Sequence, residues 1–398
     1  MANPAFSVEA ATQAYLATVS GAARAKSDAY FEGGYWLLLW GFVVTAVIMI
    51  FLMRSGWAAK ISARARTMSG NRPWLHSIFA AFALLLVIAV LQFPWDAYTG
   101  FFREHQYAMS NQSFGQWLGD WGKNAVISLI MFTLLAAGML RLIRATPKNW
   151  WAWGAVVTAG FMAFFIAIAP IFVEPLFNTY KPMAESPLRD QILSMARANL
   201  VSAHDVLVVD ASRQTKRISA NVAGLGSTMR VALNDNLLNQ ATPAQVRSVM
   251  GHELGHYVLN HIWSMVIYFA LIILGGYLAI NHFVPALLRR YPDWNVATLA
   301  DPAALPIAIL VMSAYLLLMT PLVNTIIRVQ EQEADQFGLN TARAPDGFAA
   351  IAMKLSVYRK LEPSKWEEII FFDHPSGRTR VETAMQWKAE HLNEPGVE

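Results

Sequence analysis

Five residues near position 250, His252-Glu253-Leu254-Gly255-His256, have the types and spacing that suit hydrolysis at a metal ion. On a helix, positions i and i+4 lie one turn apart on one face. Two neutral imidazoles placed so can grip one Zn²⁺. Glu253 stands beside the first histidine, where its carboxylate can reach a water next to the metal without itself binding the metal. The helix is well specified: Thr242 suits the N-cap, Pro243 the first turn, and Gln245 stands three after the cap. The bare pattern also arises by chance in buried helices, so further ligands must decide.

A catalytic zinc site needs three protein ligands and an open fourth position. The chain has no cysteine, which leaves His, Glu or Asp. His261 lies five residues past His256, off the shared face, and reads as a capping or packing histidine. The segment from Arg328 to Asp335 offers a better set. Glu331 and Asp335 are four apart and share a face with Arg328, whereas Glu333 is rotated by about 200° and points away. One of the two carboxylates can bind zinc while the other accepts a hydrogen bond from a ligating histidine, fixing its tautomer and ring angle. An ordinary solvated helix end is the competing reading, and it suits Glu333.

These residues stand between long apolar runs. The 398 residues are 55% hydrophobic and only 15% charged, with mean hydropathy +0.35; a soluble domain carries about 25% charge. Runs at 35–53, 77–93, 125–140, 150–173, 263–283 and 303–327 approach the length that crosses a hydrocarbon core of roughly 30 Å. Trp36, Trp74, Trp150, Trp151 and Trp263 sit near their ends, as interface anchors do. Residues 1–30 hold no apolar stretch of signal-peptide type. A net charge of +4 without a basic, aromatic-interleaved stripe argues against a nucleic-acid partner.

The expected fold is mostly α: a polytopic membrane protein of about six transmembrane helices carrying a small α+β, zincin-like catalytic domain. Residues 1–173 form a four-span region. Residues 174–262 carry the paired histidines, 263–327 form two further spans, and 328–398 supply the carboxylates. The hairpin of spans returns the chain to the same membrane side, so the two polar stretches can meet. Strands are expected at Val206–Val209 and 230–233, with 218–222 as a third. Arg54, Lys60, Arg64, Arg66 and Arg72 follow the first span, and Arg141, Arg144 and Lys148 the third. The positive-inside rule places both groups in the cytoplasm, with the catalytic stretches on the far side.

Five segments, in order and between spans, resemble the CAAX prenyl endopeptidases, polytopic zinc proteases of the gluzincin group. Phe172-Val173-Glu174-Pro175-Leu176-Phe177-Asn178 is similar to the family's P-L-F segment. Ser219-Ala220-Asn221-Val222-Ala223-Gly224 and Arg230-Val231-Ala232-Leu233-Asn234-Asp235 resemble its substrate-edge strand and the strand that follows. His252 to His256 matches H-E-L-G-H, Glu331 to Asp335 matches E-x-x-A-D, and His374-Pro375 with Arg380 matches H-P-x-x-x-x-R. The resemblance implies Zn held by His252, His256 and Glu331, with Asp335 behind a ligand. It implies Glu253 as base, and an oxyanion met by His374 with Arg380 nearby. It also implies spans around an internal chamber, and a peptide or protein substrate, prenylated ones included, cut by a monomer in membrane lipid.

There are departures from the family pattern. Eukaryotic members have seven spans, and the one absent here falls at the N-terminus. The family's N-A-Y reads Ser219-Ala220-Asn221, so its backbone-binding Asn is Ser219 or has moved to Asn221. The family's catalytic side faces the cytosol, opposite to the charge rule, and a match over the whole chain favours the family's orientation; in a bacterium the membrane would be the inner one. Two rivals remain, an HtpX-like quality-control protease and a non-catalytic zinc-stabilised membrane scaffold. A scaffold would not need Glu253.

Overall fold

The computed structural model describes residues 6–224 and 229–397. Its helices are α1 Val8–Leu16, α2 Gly21–Arg54, α3 Trp57–Met68, α4 Pro73–Ala97, α5 Phe114–Ala145, α6 Trp150–Ile168, α7 Pro187–Ala198, α8 Asp235–Gln240, α9 Pro243–Val258, α10 His261–Arg290, α11 Leu305–Ala342, α12 Pro345–Leu355, α13 Lys365–Phe371 and α14 Gly377–Glu390. α4 continues through a π-helical turn, Tyr98–Phe102, to Gln106.

Six helical stretches among the described residues are long and apolar enough to cross a membrane: Gly21–Arg54, Pro73–Gln106, Phe114–Ala145, Trp150–Leu176, His261–Arg290 and Pro302–Ala342. Each contains one of the six apolar runs, and each runs on past it. The 38 residues of α11 span roughly 57 Å at 1.5 Å per residue, about twice a hydrocarbon core. The surplus is polar. It carries Arg328, Glu331 and Asp335 out of the apolar run on one unbroken helix, so the division at 327/328 falls inside α11.

The turns after the first, third and fifth spans gather at one end. There Ser62 Oγ donates to Asp301 Oδ1 at 2.8 Å, and Arg144 hydrogen-bonds Ser77. At the other end lies a four-stranded sheet: β1 Tyr180–Pro182, β2 Val206–Val209, β3 Ala220–Ala223 and β4 Arg230–Asn234. Its order is β1-β2-β4-β3. β2 and β4 are parallel, β1 and β3 antiparallel to their neighbours, and β3 forms an edge. β3 starts two residues later than the apolar pattern suggests. β1 has three residues and ends in Pro182, too short for alternation to reveal.

Val206, Val231 and Leu233 of the sheet pack against Val246, Met250 and Leu254 of α9, with Ile192 of α7 and Ile351 of α12. α1 lies in the segment read as N-terminal membrane region, yet its Leu16 packs with Leu339, Phe348, Val381 and Met385 at the polar end.

Candidate active site

α9 begins as its sequence dictates. Thr242 and Gln245 form a reciprocal capping box with Pro243 in the first turn. It ends where Asn260 turns left-handed, φ 58°, and α10 leaves in a new direction from His261. Histidines 252 and 256 thereby share the face turned to α11.

Three small residues let these two helices approach. A Cβ on Gly338 would stand 2.8 Å from the His252 backbone nitrogen, and one on Gly251 2.9 Å from the Gly338 carbonyl oxygen. A Cβ on Gly255 would stand 3.1 Å from Ala334 Cα. Only glycine fits such backbone contact, and the contact brings Glu331 to the histidines.

His252 Nε2 and His256 Nε2 are 3.1 Å apart. Glu331 Oε2 is 3.4 Å from the first and its Oε1 is 3.3 Å from the second. These three residues form a group whose ligand atoms all lie close enough to share one ion. Ligands placed tetrahedrally around zinc at about 2.0–2.1 Å stand roughly 3.3–3.4 Å apart, so the spacing fits that metal. The hydrogen bonding agrees. His252 Nδ1 lies 2.8 Å from Asp335 Oδ1 and His256 Nδ1 lies 2.9 Å from His261 Nδ1. With both Nδ1 atoms donating, both Nε2 lone pairs point at one another and at a carboxylate, an arrangement that calls for a cation. Glu331 Oε2 is buried and makes no hydrogen bond. Burial opposes charge on His252, yet the Asp335 and Glu331 carboxylates overcome it and push its pKa up to about 10.

The other expected residues gather around this group unevenly. Glu253 lines the same cavity, of about 210 Å³, and burial raises its pKa above the ordinary carboxylate value. Arg380 Nε donates to Asp335 Oδ2 at 2.8 Å, its Nη2 hydrogen-bonds Asp335 Oδ1, and both residues are buried. That guanidinium therefore stands behind His252 rather than free at the cavity mouth. His374 Nε2 faces Glu331 Oε2 at 3.1 Å. Its Nδ1 lies 2.8 Å from Asp373, and burial pulls its pKa below the ordinary value. Ser219 and Ala220 also line the cavity. Asn221 does not, and its Oδ1 is buried without a hydrogen bond among the described residues.

Spacing along the chain misses three features. His261 is buried against His256, and its Nε2 meets Glu333 at 3.1 Å; the helix break at Asn260 turns it back, which a straight-helix reading cannot anticipate. Asp373 supports the His374 ring. Arg359 stands in the cavity wall. An acidic residue directly before His374 is the only one of these signals visible in the sequence.

Residues 182–388 match Peptidase family M48, and residues 10–179 match the CAAX prenyl protease N-terminal region, described as five membrane helices. The chain is 28% identical over 314 residues to an uncharacterized metalloprotease, YhfN, of Bacillus subtilis (strain 168), covering 78% of this chain and 74% of that one. It is 24% identical over 335 residues to a CAAX prenyl protease 1 homolog of Oryza sativa subsp. japonica, covering 80% and 76%. The crystal structure of S. mikatae Ste24p superposes with TM-score 0.72 at 18% identity, over 95% of this chain and 94% of that one. Four of the six spans lie within the N-terminal match. The chain belongs to Peptidase family M48 and is a multi-pass membrane metalloendopeptidase.

Proposed function

We propose that this endopeptidase uses zinc held by His252, His256 and Glu331, with Glu253 as general base. The observation that carries the reading is the triangle of two imidazole nitrogens and one carboxylate at 3.1–3.4 Å, with Glu253 on the same cavity wall. A nitrogen and oxygen donor set without cysteine suits a hydrolytic zinc. Such a zinc, when bound, supplies a Lewis acid that acidifies water and polarises a carbonyl.

The chain's own groups do the remainder. Glu253 accepts the proton of the attacking water and returns it to the departing amine nitrogen. Its burial-raised pKa suits both transfers. Asp335, held by Arg380, accepts a hydrogen bond from His252 Nδ1–H, which fixes the proton there and keeps Nε2 free for the metal. Asp373 orients the His374 ring through Nδ1, so that Nε2 faces the place where the oxyanion develops. The edge of β3, with Ser219 and Ala220 beside the cavity, receives the substrate as an added strand. Prenylated CAAX peptides, the substrates named for the relatives, fall within this capability, and the protein works as a monomer in membrane lipid.

The test uses purified protein, wild type and Glu253→Gln, with a peptide mixture that includes a farnesylated CAAX peptide. Mass spectrometry maps the cuts and elemental analysis measures zinc. Cutting that disappears in zinc-loaded Glu253→Gln is expected. No cutting by zinc-loaded wild type favours the scaffold reading. Equal cutting by both forms overturns the assignment of the base.

A further inference from the structure

The cavity wall holds a cation that the mechanism does not use. Arg359 lines the cavity beside Tyr358, His374 and Arg380, at the edge of an apolar wall that includes Phe348 and Leu355. Its Nη1 is buried and has no hydrogen-bond partner among the described residues. Among the described residues its side chain forms no ion pair. The acids that act on it are engaged elsewhere. Asp373 lies against His374 at 2.8 Å, and Glu331 faces the paired histidines. Arg380, the other guanidinium of the cavity, is held by Asp335. Arg359 as a whole is half-buried, and its guanidinium carbon stands 5.9 Å from the centre of the Tyr358 ring; an enclosed guanidinium nitrogen without an acceptor costs free energy. Its planar fork matches a carboxylate in bidentate fashion.

We propose that Arg359 is a specificity-determining residue, a subsite for a carboxylate of the substrate peptide. The carboxylate is the free C-terminus of the peptide or an acidic side chain near the scissile bond. An apolar wall next to a lone cation then selects a peptide end that pairs an apolar side chain with a negative charge. The cleaved fragment carries the anion, so the pairing holds the fragment in register rather than joining the proton transfers.

This rests on the assignment of the site to peptide hydrolysis, so the test reads binding without turnover. Three fluorescent peptides share one sequence: a free C-terminal acid, its amide, and an amide with one interior glutamate. Each is titrated against zinc-loaded Glu253→Gln and against Glu253→Gln with Arg359→Met, which keeps the apolar stem. A charge-assisted pair predicts binding roughly tenfold tighter for a charged peptide than for the plain amide. That preference should vanish with Arg359→Met and return in part with Arg359→Lys. Preference for the acid identifies the C-terminus, and preference for the glutamate peptide identifies the side chain. Equal affinity for all three peptides, or a preference that survives Arg359→Met, overturns the proposal. Either result stands whether or not the wild type cuts any of the three.

Discussion

His256 Nδ1 lies 2.9 Å from His261 Nδ1, and the far nitrogen of His261 lies 3.1 Å from Glu333. Two rings meeting through like-named nitrogens need opposite roles, one donating and one accepting. Glu333 settles the direction: it accepts from His261 Nε2, which leaves His261 Nδ1 as acceptor and His256 Nδ1 as donor. His256 then presents an unprotonated Nε2 to the metal. His252 reaches the same state through Asp335. The pair is unequal, because Asp335 is buried and held by Arg380 while Glu333 is 57% exposed at its side chain.

His261→Ala should therefore weaken zinc binding about 10- to 100-fold, the usual cost of losing a partner behind a ligand. Glu333→Gln should weaken it less, since its carboxylate is solvated and a glutamine oxygen can still accept. Competition with a chromophoric chelator reads both constants. Unchanged zinc affinity in His261→Ala would remove the relay from the account of the site.

Gly338→Ala tests the approach of α9 and α11. The added methyl meets the His252 backbone 2.8 Å away, and neither helix can yield without moving a proposed ligand. Overpacking of this kind costs about 1–3 kcal/mol. A misplacement near 1 Å costs on the order of 100-fold in rate. The expected result is a folded protein that loses zinc on dialysis and retains little cleavage. Gly160→Ala, where a Cβ meets nothing within 4 Å, is the control and should behave as wild type.

Much of this site is legible from spacing. The four-residue interval of His252 and His256 and that of Glu331 and Asp335 each define a helix face without any tertiary knowledge. The six apolar runs locate the spans for the same reason, since a bilayer demands length and the absence of charge. Spacing cannot show how the two faces meet. That depends on Gly251, Gly255 and Gly338, whose role is visible only when the opposing backbone is in place. Nor can spacing place His261, because Asn260 redirects the chain, or α1, whose docking against Leu339 and Met385 is a long-range contact. Arg359 carries no pattern at all; what distinguishes it is the lack of a carboxylate partner among the described residues.

Asp335→Asn addresses the buried pair. Asparagine can still accept from His252, but it cannot neutralise Arg380, whose remaining acid is Glu331 at 3.9 Å; losing the partner of a buried pair costs up to about 3–5 kcal/mol. Thermal unfolding in detergent should shift down clearly. Adding Arg380→Met to the same chain should restore part of the loss, because no uncompensated charge remains. A double variant as unstable as the sum of the singles would mean that the two residues do not act as a pair.

The distribution of basic residues predicts a membrane orientation. The turns at one end carry Arg54, Lys60, Arg64, Arg66 and Arg72, then Arg141, Arg144 and Lys148, then Arg289 and Arg290, all exposed. At the other end the short turn 107–113 carries no Lys or Arg, although Arg103 and Lys123 flank it within their helices. Arg24 and Lys26 precede the first apolar run, against five basic residues after it. Short basic loops stay in the cytoplasm, and acidic residues count little. The basic end is thus expected inside and the metal site outside, opposite to the orientation the family resemblance implies. Substrates would then be exported polypeptides or outward-facing segments of membrane proteins. The chain has no cysteine, so single substitutions report cleanly. In sealed bacterial spheroplasts an impermeant maleimide should label Glu390→Cys, near the end of α14, and should reach Thr67→Cys in α3 only after permeabilisation. Labelling of Thr67→Cys in sealed spheroplasts would reverse the assignment and return cytosolic proteins to the list of substrates.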